Sequence, residues 1–357
     1  MTFRLNGSFR KKLARKAARA IVRAIHHIKK PADHDDQPPW PIVPLARIAQ
    51  ARNKKHGPSP KEMRAGYRLS TYLFHMDDAP MVKMAQFDVG HGLQLRMYWP
   101  HQVSQRAGAP AMMFMHGGGF VIGDLETHDT TCRFLAERAN VVVFALDYRL
   151  APEHKFPAAL EDVKTAFNWL HDHADMLGID PQNIGAGGDS AGARAALALA
   201  LEAISPHLPG AVPSPAWIWM VYPATDLYAE TPSLKEFNKD LFLTTPVMKW
   251  FGGQFLSEEV LANPEPDNAV YAPLRSPDLG KLPPSYLMTV GFDPLRDEGI
   301  MLRDRLQDEG VPLEYAHYPH LAHEIFAISG IVPEARAAVE EAGDALGRLV
   351  RGSTARR

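Results

Sequence analysis

Cysteine and long apolar runs are the two features that this sequence most clearly lacks. Cys132 is the only cysteine among 357 residues, which excludes an internal disulfide framework and agrees with a reducing compartment. No run of about 18 or more uncharged apolar residues occurs, so the sequence predicts no transmembrane helix. The N-terminus also lacks the apolar stretch of a secretory signal. We therefore expect a cytoplasmic protein.

A strong net charge and metal-binding patterns are also missing. The formal net charge of -2 gives no indication of a polyanionic partner, so we expect no nucleic-acid binding. The histidine pairs His26-His27 and His171-x-His173 lack partnering ligands and are typical of solvated helix faces. We therefore expect no metal site.

The small net charge hides a basic N-terminus. Residues 1–30 contain ten Lys and Arg residues and no acidic residue. A helix is predicted from Lys11 to Lys30, where Pro31 stops it, with one apolar stripe formed by Leu13, Ala17, Ile21, Ala24 and Ile28. In one interpretation the stripe packs on the domain while the charges stay in water. In the other, the helix lies on an anionic membrane surface.

Short apolar runs alternate with helical patterns over most of the remaining chain. Val141–Leu146 is rich in β-branched residues, as in strands buried on both faces, and Ala158–Ala174 and Ala191–Ala203 have helical spacing. This order predicts βαβ units and an α/β fold with a mostly parallel central sheet flanked by helices. Residues 224–273 interrupt the rhythm and are long for a connection, so we expect a lid there.

The clearest chemical motif is Gly188-Asp189-Ser190-Ala191-Gly192. It fits the G-x-S-x-G pattern, a sharp strand-to-helix turn that exposes a nucleophilic serine, because an apolar run precedes it and a helical pattern follows. The flanking glycines fit a strained turn in which a Cβ would collide with the adjoining elements. A structural turn is the alternative interpretation, and Ser190 is the candidate nucleophile.

A nucleophilic serine needs a base and an acid that orients the base. The apolar strand Tyr286–Val290 leads to Asp293, and functional groups lie at the ends of parallel strands, so Asp293 is the candidate acid. Asp297 is the competitor, although its place at the start of a helical pattern is typical of a capping carboxylate.

Three histidines lie in or after the last predicted strand and are candidates for the base. His317 lies within the strand Leu313–Tyr318, and His320 follows it immediately. A loop position favours His323, while His320 remains the main alternative.

A glycine loop supplies candidate donors for an oxyanion. His116-Gly117-Gly118-Gly119 follows an apolar strand, and its bare backbone N–H groups allow close approach to a substrate oxygen. A lone glycine triplet is more often a flexible turn. With the serine motif downstream, the loop predicts an oxyanion hole completed by the N–H group of Ala191.

From about Leu93 to Phe326, the chain resembles the hormone-sensitive lipase family of α/β-hydrolases, and in particular its bacterial Gly-Asp-Ser-Ala-Gly esterases. The resemblance rests on four linked blocks, which are His116–Gly119, Asp147–Ala158, Gly188–Gly192 and Asp293–Asp297. The second block has no role that the residues alone reveal. In the family it shapes the floor beside the oxyanion loop.

The resemblance implies a Ser190–Asp293–His323 triad, an oxyanion hole from Gly117, Gly118, Gly119 and Ala191, and a helical cap. It implies hydrolysis of short- to medium-chain carboxylic esters without a cofactor, and many relatives form dimers. The implied organisation is an N-terminal basic helix and arm over residues 1–60, which contributes to the cap, and an α/β-hydrolase domain over residues 61–357. The cap insertion then spans about residues 224–273.

Three features depart from the family pattern. The family has His-Gly-Phe at the base, whereas this chain has His323 followed by Glu324 and Ile325, with Phe326 one place later. Ala193 also replaces a usual glycine, and the basic extension up to Lys30 is not a common family feature.

Three further points stay open at the level of sequence. The same triad would also serve hydrolysis of amides or other acyl compounds. A non-catalytic receptor is a different class, as in the plant gibberellin receptor, which resembles this family but lacks the catalytic histidine. Four aromatic residues are candidates either for pocket lining or for ordinary packing of core and cap: Trp217, Trp219, Trp250 and Phe251.

Overall fold

An eight-stranded sheet forms the centre of the protein. The computed structural model describes residues 7–28, 42–44, 58–103, 108–205, 212–263 and 271–355. The strands are β1 Lys83–Asp88, β2 Gln94–Trp99, β3 Ala109–Met115, β4 Val142–Asp147, β5 Ile179–Asp189, β6 Ile218–Val221, β7 Ser285–Phe292 and β8 Leu313–Ala322.

The strand order is β1-β2-β4-β3-β5-β6-β7-β8. Strand β2 pairs antiparallel with β1 and β4, and all other neighbours are parallel. The predicted α/β fold with a mostly parallel sheet is therefore confirmed.

Helices cover both faces of the sheet. Within the described ranges they are α1 Gly7–Ile28, α2 Pro60–Phe74, α3 Asp129–Ala139, α4 Ala158–Asp172, α5 Ala174–Leu177, α6 Ala191–Ile204, α7 Pro232–Glu236, α8 Thr245–Phe255, α9 Glu258–Ala262, α10 Arg296–Asp308, α11 Ile325–Ile328 and α12 Pro333–Ala355. Residues of α4, α6 and α10 pack into one apolar core, and residues of α3 and α12 pack into the core on the other face.

Strand β3 illustrates why the central strands are apolar throughout. Met113 and Met115 belong to the core under α4 and α6, whereas Met112 and Phe114 belong to the core under α12. Successive side chains of a strand point to opposite faces, so a strand covered by helices on both sides has no polar face. This is the physical origin of the short continuous apolar runs in the sequence.

The N-terminal helix α1 buries a charged side chain, and two residues of the predicted apolar stripe are exposed. The side chains of the other three, Ile21, Ala24 and Ile28, lie outside the described residues. Leu13 is 55% exposed and Ala17 is also exposed, whereas Arg15 is only 1% exposed. The Arg15 guanidinium donates to the carbonyl oxygen of Met76 at 2.6 Å and to Asp78 Oδ1 at 2.9 Å. The prediction that the stripe packs on the domain is therefore wrong for these two positions.

Two acidic residues at the start of α10 hold the segment that joins β6 to β7. The N–H group of Ser233 donates to Asp297 Oδ2 at 2.8 Å, and the N–H group of Thr225 donates to Glu298 Oε2 at 2.6 Å. This segment contains α7, α8 and α9. The two carboxylates therefore fix its course over the carboxyl edge of the sheet.

We also compared the helices with the length and hydropathy that a bilayer requires. Among the described residues, none forms a helix that is both long and apolar enough to span a membrane.

Candidate active site

The candidate residues follow the ends of four parallel strands. His116 follows β3, Ser190 follows β5, Asp293 follows β7 and His323 follows β8. Parallel strands end at the same edge of the sheet, so the fold gathers these four residues there. The edge is closed by the glycine loop, the start of α6 and the segment between β6 and β7.

Ser190 occupies a strained turn between β5 and α6. Its φ of 53° and ψ of -118° lie outside the usual regions, and its N–H group donates to the carbonyl oxygen of Val221 at 2.9 Å. A Cβ on Gly188 would lie 2.1 Å from the Met115 carbonyl oxygen, and one on Gly192 would lie 1.9 Å from it. Glycine is therefore required at both positions, because the end of β3 lies directly against the turn.

Asp293 and His323 form a direct pair. His323 Nδ1 lies 2.7 Å from Asp293 Oδ2, and the N–H group of Leu295 donates to Asp293 Oδ1 at 2.9 Å. Burial alone would lower the pKa of His323, but the Asp293 carboxylate outweighs it, so that this pKa is raised above 6.5. The centre of the Tyr222 ring lies 4.2 Å from that of the His323 ring. Tyr222 directly follows Val221, whose carbonyl oxygen accepts the hydrogen bond from the Ser190 N–H group.

The rival candidates lie elsewhere. His317 and His320 are exposed on the edge strand β8, and His317 Nδ1 lies 2.8 Å from Thr289 Oγ1. Asp297 binds the backbone of Ser233 and the Arg296 side chain, whose Nε lies 2.8 Å from Asp297 Oδ1. Asp297 therefore anchors the segment before β7, a role that its helix-start position did not reveal.

The glycine loop adopts conformations that need glycine. Gly118 has a φ of +112°, and a Cβ there would lie 2.3 Å from the carbonyl oxygen of Ile122. The N–H group of Gly117 donates to Asp189 Oδ1 at 2.9 Å. This bond occupies the single amide hydrogen of Gly117, so the expectation that Gly117 itself donates to an oxyanion is not supported.

A buried polar network lies behind this loop. His128 Nε2 lies 3.5 Å from Asp189 Oδ1, and the rings of His116 and His128 stack at 5.3 Å. Burial would raise the pKa of Asp189, but His128 and the Gly117 N–H group hold it below 3.8. Burial and the neighbouring His128 lower the pKa of His116 to about 4. Sequence reasoning missed His128, because no recognisable motif surrounds it.

The second sequence block supports the glycine loop from below. The Tyr148 hydroxyl donates to the His116 carbonyl oxygen at 2.7 Å, and the Ala151 N–H group donates to the Phe120 carbonyl oxygen at 2.9 Å. Glu153 receives two bonds from the Arg64 guanidinium of α2, at 2.8 and 2.6 Å. The block therefore joins the loop to α2.

Helix α8 covers the glycine loop from above. A Cβ on Gly119 would lie 2.5 Å from the Phe251 ring, and the rings of Phe120 and Phe255 stack at 4.5 Å. Trp217 and Trp219 are instead fully buried in the core. Of the four aromatic candidates, Phe251 lies against Gly119 of the glycine loop.

Glu324, which departs from the family pattern, was not predicted as a site residue. Its φ of +75° is left-handed, and its Oε2 accepts a hydrogen bond from the Tyr67 hydroxyl at 3.1 Å. The departure from His-Gly-Phe was the signal in the sequence that could have identified it.

Among the described residues, no group of three or more His, Cys, Asp or Glu side chains is arranged to hold a metal ion.

Comparison with known proteins identifies the class. A protein family with the description "α/β hydrolase fold" matches residues 112–327 of this chain. Esterase LipI of Mycobacterium tuberculosis is 39% identical over 257 residues, which cover 72% of this chain and 78% of LipI. Ethyl acetate hydrolase of Pseudomonas putida is 32% identical over 246 residues, covering 69% of this chain and 75% of that enzyme.

Solved structures agree with this class. An α/β hydrolase enzyme from the metagenome of Lake Arreo superposes with a TM-score of 0.77 at 31% identity, covering 86% of this chain and 96% of that one. A hyperthermophilic esterase from Pyrobaculum calidifontis has a TM-score of 0.74 at 30% identity, with 86% and 97% coverage. The chain is thus an α/β hydrolase by fold. It belongs to the hormone-sensitive lipase family of that class.

Proposed function

We propose that this carboxylic ester hydrolase is a serine carboxylesterase that acts through an acyl-enzyme intermediate. The observation that carries the proposal is the 2.7 Å contact between His323 and Asp293 at the edge of the sheet where the strained turn presents Ser190. An imidazole held by a buried carboxylate beside a serine turn is the arrangement that activates a serine hydroxyl.

In the proposed mechanism, His323 takes the proton of the Ser190 hydroxyl while the Ser190 oxygen attacks the ester carbonyl carbon. Asp293 holds the Nδ1–H tautomer and stabilises the imidazolium. When the tetrahedral intermediate collapses, the carbon–oxygen bond to the alcohol breaks, and His323 returns the proton to the leaving alkoxide. Water, deprotonated by His323, then attacks the acyl carbonyl carbon. The bond between that carbon and the Ser190 oxygen breaks, His323 returns the proton to this oxygen, and the acid is released.

We assign the oxyanion donors to the N–H groups of Gly118, Gly119 and Ala191. Gly117 keeps its bond to Asp189 and holds the loop in place. Ala191 is the first residue of α6, so its amide lies at the positive end of a helix. Loss of one donor of this kind typically costs about a hundred- to a thousandfold in rate.

We propose that α2 together with α7, α8 and α9 forms the cap over the substrate pocket. Three contacts support this. Phe251 lies against Gly119, the N–H group of Phe156 donates to the Phe255 carbonyl oxygen at 2.9 Å, and Lys155 Nζ donates to the Leu256 carbonyl oxygen at 2.7 Å. The cap then lies directly on the oxyanion loop. The preference for short- to medium-chain acyl groups is proposed from the family resemblance. Residues 1–60 remain a proposed N-terminal basic helix and arm that contributes to the cap.

The test is hydrolysis of p-nitrophenyl esters from acetate to palmitate by the wild type and by Ser190→Ala. We expect a maximum at short or medium chains and a loss of about a millionfold in kcat in the variant. Retention of more than about one hundredth of the activity in Ser190→Ala would contradict the assignment. A folded wild type without activity on any chain length would favour amide substrates, or ligand binding without turnover.

The exposed face of α1 supports a second, peripheral role at anionic membrane surfaces. Leu13 is 55% exposed, and Lys12 and Lys16 beside it are exposed as well. Co-sedimentation with phosphatidylserine vesicles tests this role with Leu13→Glu, and Leu261→Glu on α9 is the matched control because Leu261 is 51% exposed. Equal partitioning of both variants and the wild type would end the idea.

Two further expectations remain predictions. Homodimer formation is tested by sedimentation equilibrium of the full chain. A cytoplasmic location, which the single buried thiol of Cys132 suits, is tested by cell fractionation.

A further inference from the structure

Glu324 directly follows the proposed base and has a strained backbone. Its φ of 75° and ψ of 31° are left-handed, a conformation that a residue with a Cβ rarely adopts. Glycine, which stands here in the family pattern, adopts it without penalty. The chain thus keeps a carboxylate where glycine would relieve strain, and strain of this kind concentrates at functional sites.

The Glu324 side chain is tied to helix α2. The Tyr67 hydroxyl donates to Glu324 Oε2 at 3.1 Å. One turn earlier on α2, Arg64 donates to the carbonyl oxygens of Val121 at 2.8 Å and Ala151 at 2.9 Å, next to the glycine loop. Helix α2 therefore contacts both halves of the site, the oxyanion loop through Arg64 and the base loop through Glu324.

The charged and titratable groups that face Glu324 come from several elements. They are His323 of its own loop, Asp189 at the end of β5, His128 before α3, Tyr67 of α2 and Tyr222 after β6. Burial raises the pKa of Glu324, and the two histidines oppose that rise. On the other side of the imidazole, Asp293 contacts His323 directly.

We propose that Glu324 is a positioning residue for the esterase reaction, a carboxylate that ties the His323 loop to α2 through Tyr67 and sets a second negative charge beside the base. This inference rests on the proposed function, because it assigns His323 as the base. Glu324 does not contact the reacting atoms in this scheme and acts through His323.

A charge at this place has a definite consequence for the base. The Glu324 carboxylate, like Asp293, raises the pKa of His323 because it stabilises the imidazolium. The imidazolium forms when Ser190 attacks, so the same charge stabilises the transition state. Removal of the charge should then move the acidic limb of the pH profile to lower pH, because His323 would lose its proton more readily.

The test is the pH profile of kcat/KM for p-nitrophenyl butyrate in the full-length protein. Glu324→Gln keeps the shape of the side chain and an acceptor oxygen for Tyr67 but removes the charge. We expect its acidic limb to move down by about 0.5–1 pH unit. Glu334→Gln, the same change at an exposed position on α12, is the matched control and should leave the profile unchanged.

Two more variants complete the test. Glu324→Gly relieves the positive φ, and its acidic limb should move to lower pH by the same amount. This variant therefore tests the role of the charge if Glu324→Gln does not fold. Tyr67→Phe should lower kcat by about tenfold with KM little changed, because the loop of the base loses its tie to α2.

The outcomes separate this inference from the proposed function. If activity depends on Ser190 but the acidic limb of the pH profile is unshifted in both Glu324→Gln and Glu324→Gly, the role of Glu324 is overturned. The proposed serine mechanism would still stand. Wild-type kcat in Tyr67→Phe would overturn the tie to α2. Activity retained in Ser190→Ala would overturn the serine mechanism, and the inference with it.

Discussion

Asp189 Oδ1 accepts a 2.9 Å hydrogen bond from the N–H group of Gly117, which fastens the serine turn to the glycine loop. The carboxylate also lies 3.5 Å from His128 Nε2 and is buried. The variable residue of the G-x-S-x-G motif is thus a structural bridge between the proposed nucleophile and the proposed oxyanion hole.

Asp189→Ala should break this bridge. The amide of Gly117 would lose its partner in a buried place, at a cost of about 1–3 kcal/mol in the free energy of unfolding. The loop would shift, and we expect kcat to fall by about a hundredfold. Urea denaturation and ester hydrolysis measure the two effects. Asp189→Asn keeps an acceptor oxygen and should lose less of both, so equal losses in the two variants would contradict the bridge.

His323→Ala and His320→Ala distinguish the two candidate bases. The first should abolish turnover, with a loss of about a millionfold in kcat, because no other group would take the serine proton. The second should retain most of the activity, because His320 is exposed on β8. Steady-state hydrolysis of a p-nitrophenyl ester measures both, and the reverse result would move the base to His320.

Asp293→Asn should change both the rate and the pH profile. The raised pKa of His323 means that the base is lost as the pH falls through a value above 6.5, and the Asp293 carboxylate is the main cause of the rise. The variant should therefore lose about 10⁴-fold in kcat, and its acidic limb should move to lower pH. Asp297→Asn tests the rival acid in the same assay. A larger loss in that variant would reverse the assignment.

Arg15→Ala should destabilise the docking of α1. The buried guanidinium binds Asp78 and the Met76 carbonyl oxygen, so its removal leaves partners unsatisfied and should cost about 1–3 kcal/mol in the free energy of unfolding. Lys12→Ala, at the exposed neighbouring position, should change it by less than about 0.5 kcal/mol. Urea denaturation compares the two, and equal values would show that the Arg15 contacts contribute nothing.

The α/β architecture could be predicted from the sequence. Alternating apolar runs and helical patterns indicated the parallel sheet, because hydrophobic periodicity is a local property that survives without tertiary contacts. The motif around Ser190 could also be recognised from the sequence, because glycines on both sides of a serine indicate a turn with no room for a Cβ. The position of Asp293 after a strand followed from the same logic, whereas His323 was favoured because a loop was predicted there. Their assignment as acid and base awaits the experiments above.

Contacts between residues far apart in the chain could not be predicted from the sequence and are seen only in the folded protein. The bond of Gly117 to Asp189, the anchoring role of Asp297 and the contact of Tyr67 with Glu324 join residues that no local pattern relates. Helix α1 is a further example. Its apolar stripe predicted that the side of the helix with Leu13 would be buried, whereas the opposite side, with Arg15, is buried. Periodicity reports which residues are apolar, whereas a buried cation depends on acceptors that the fold brings to it from elsewhere.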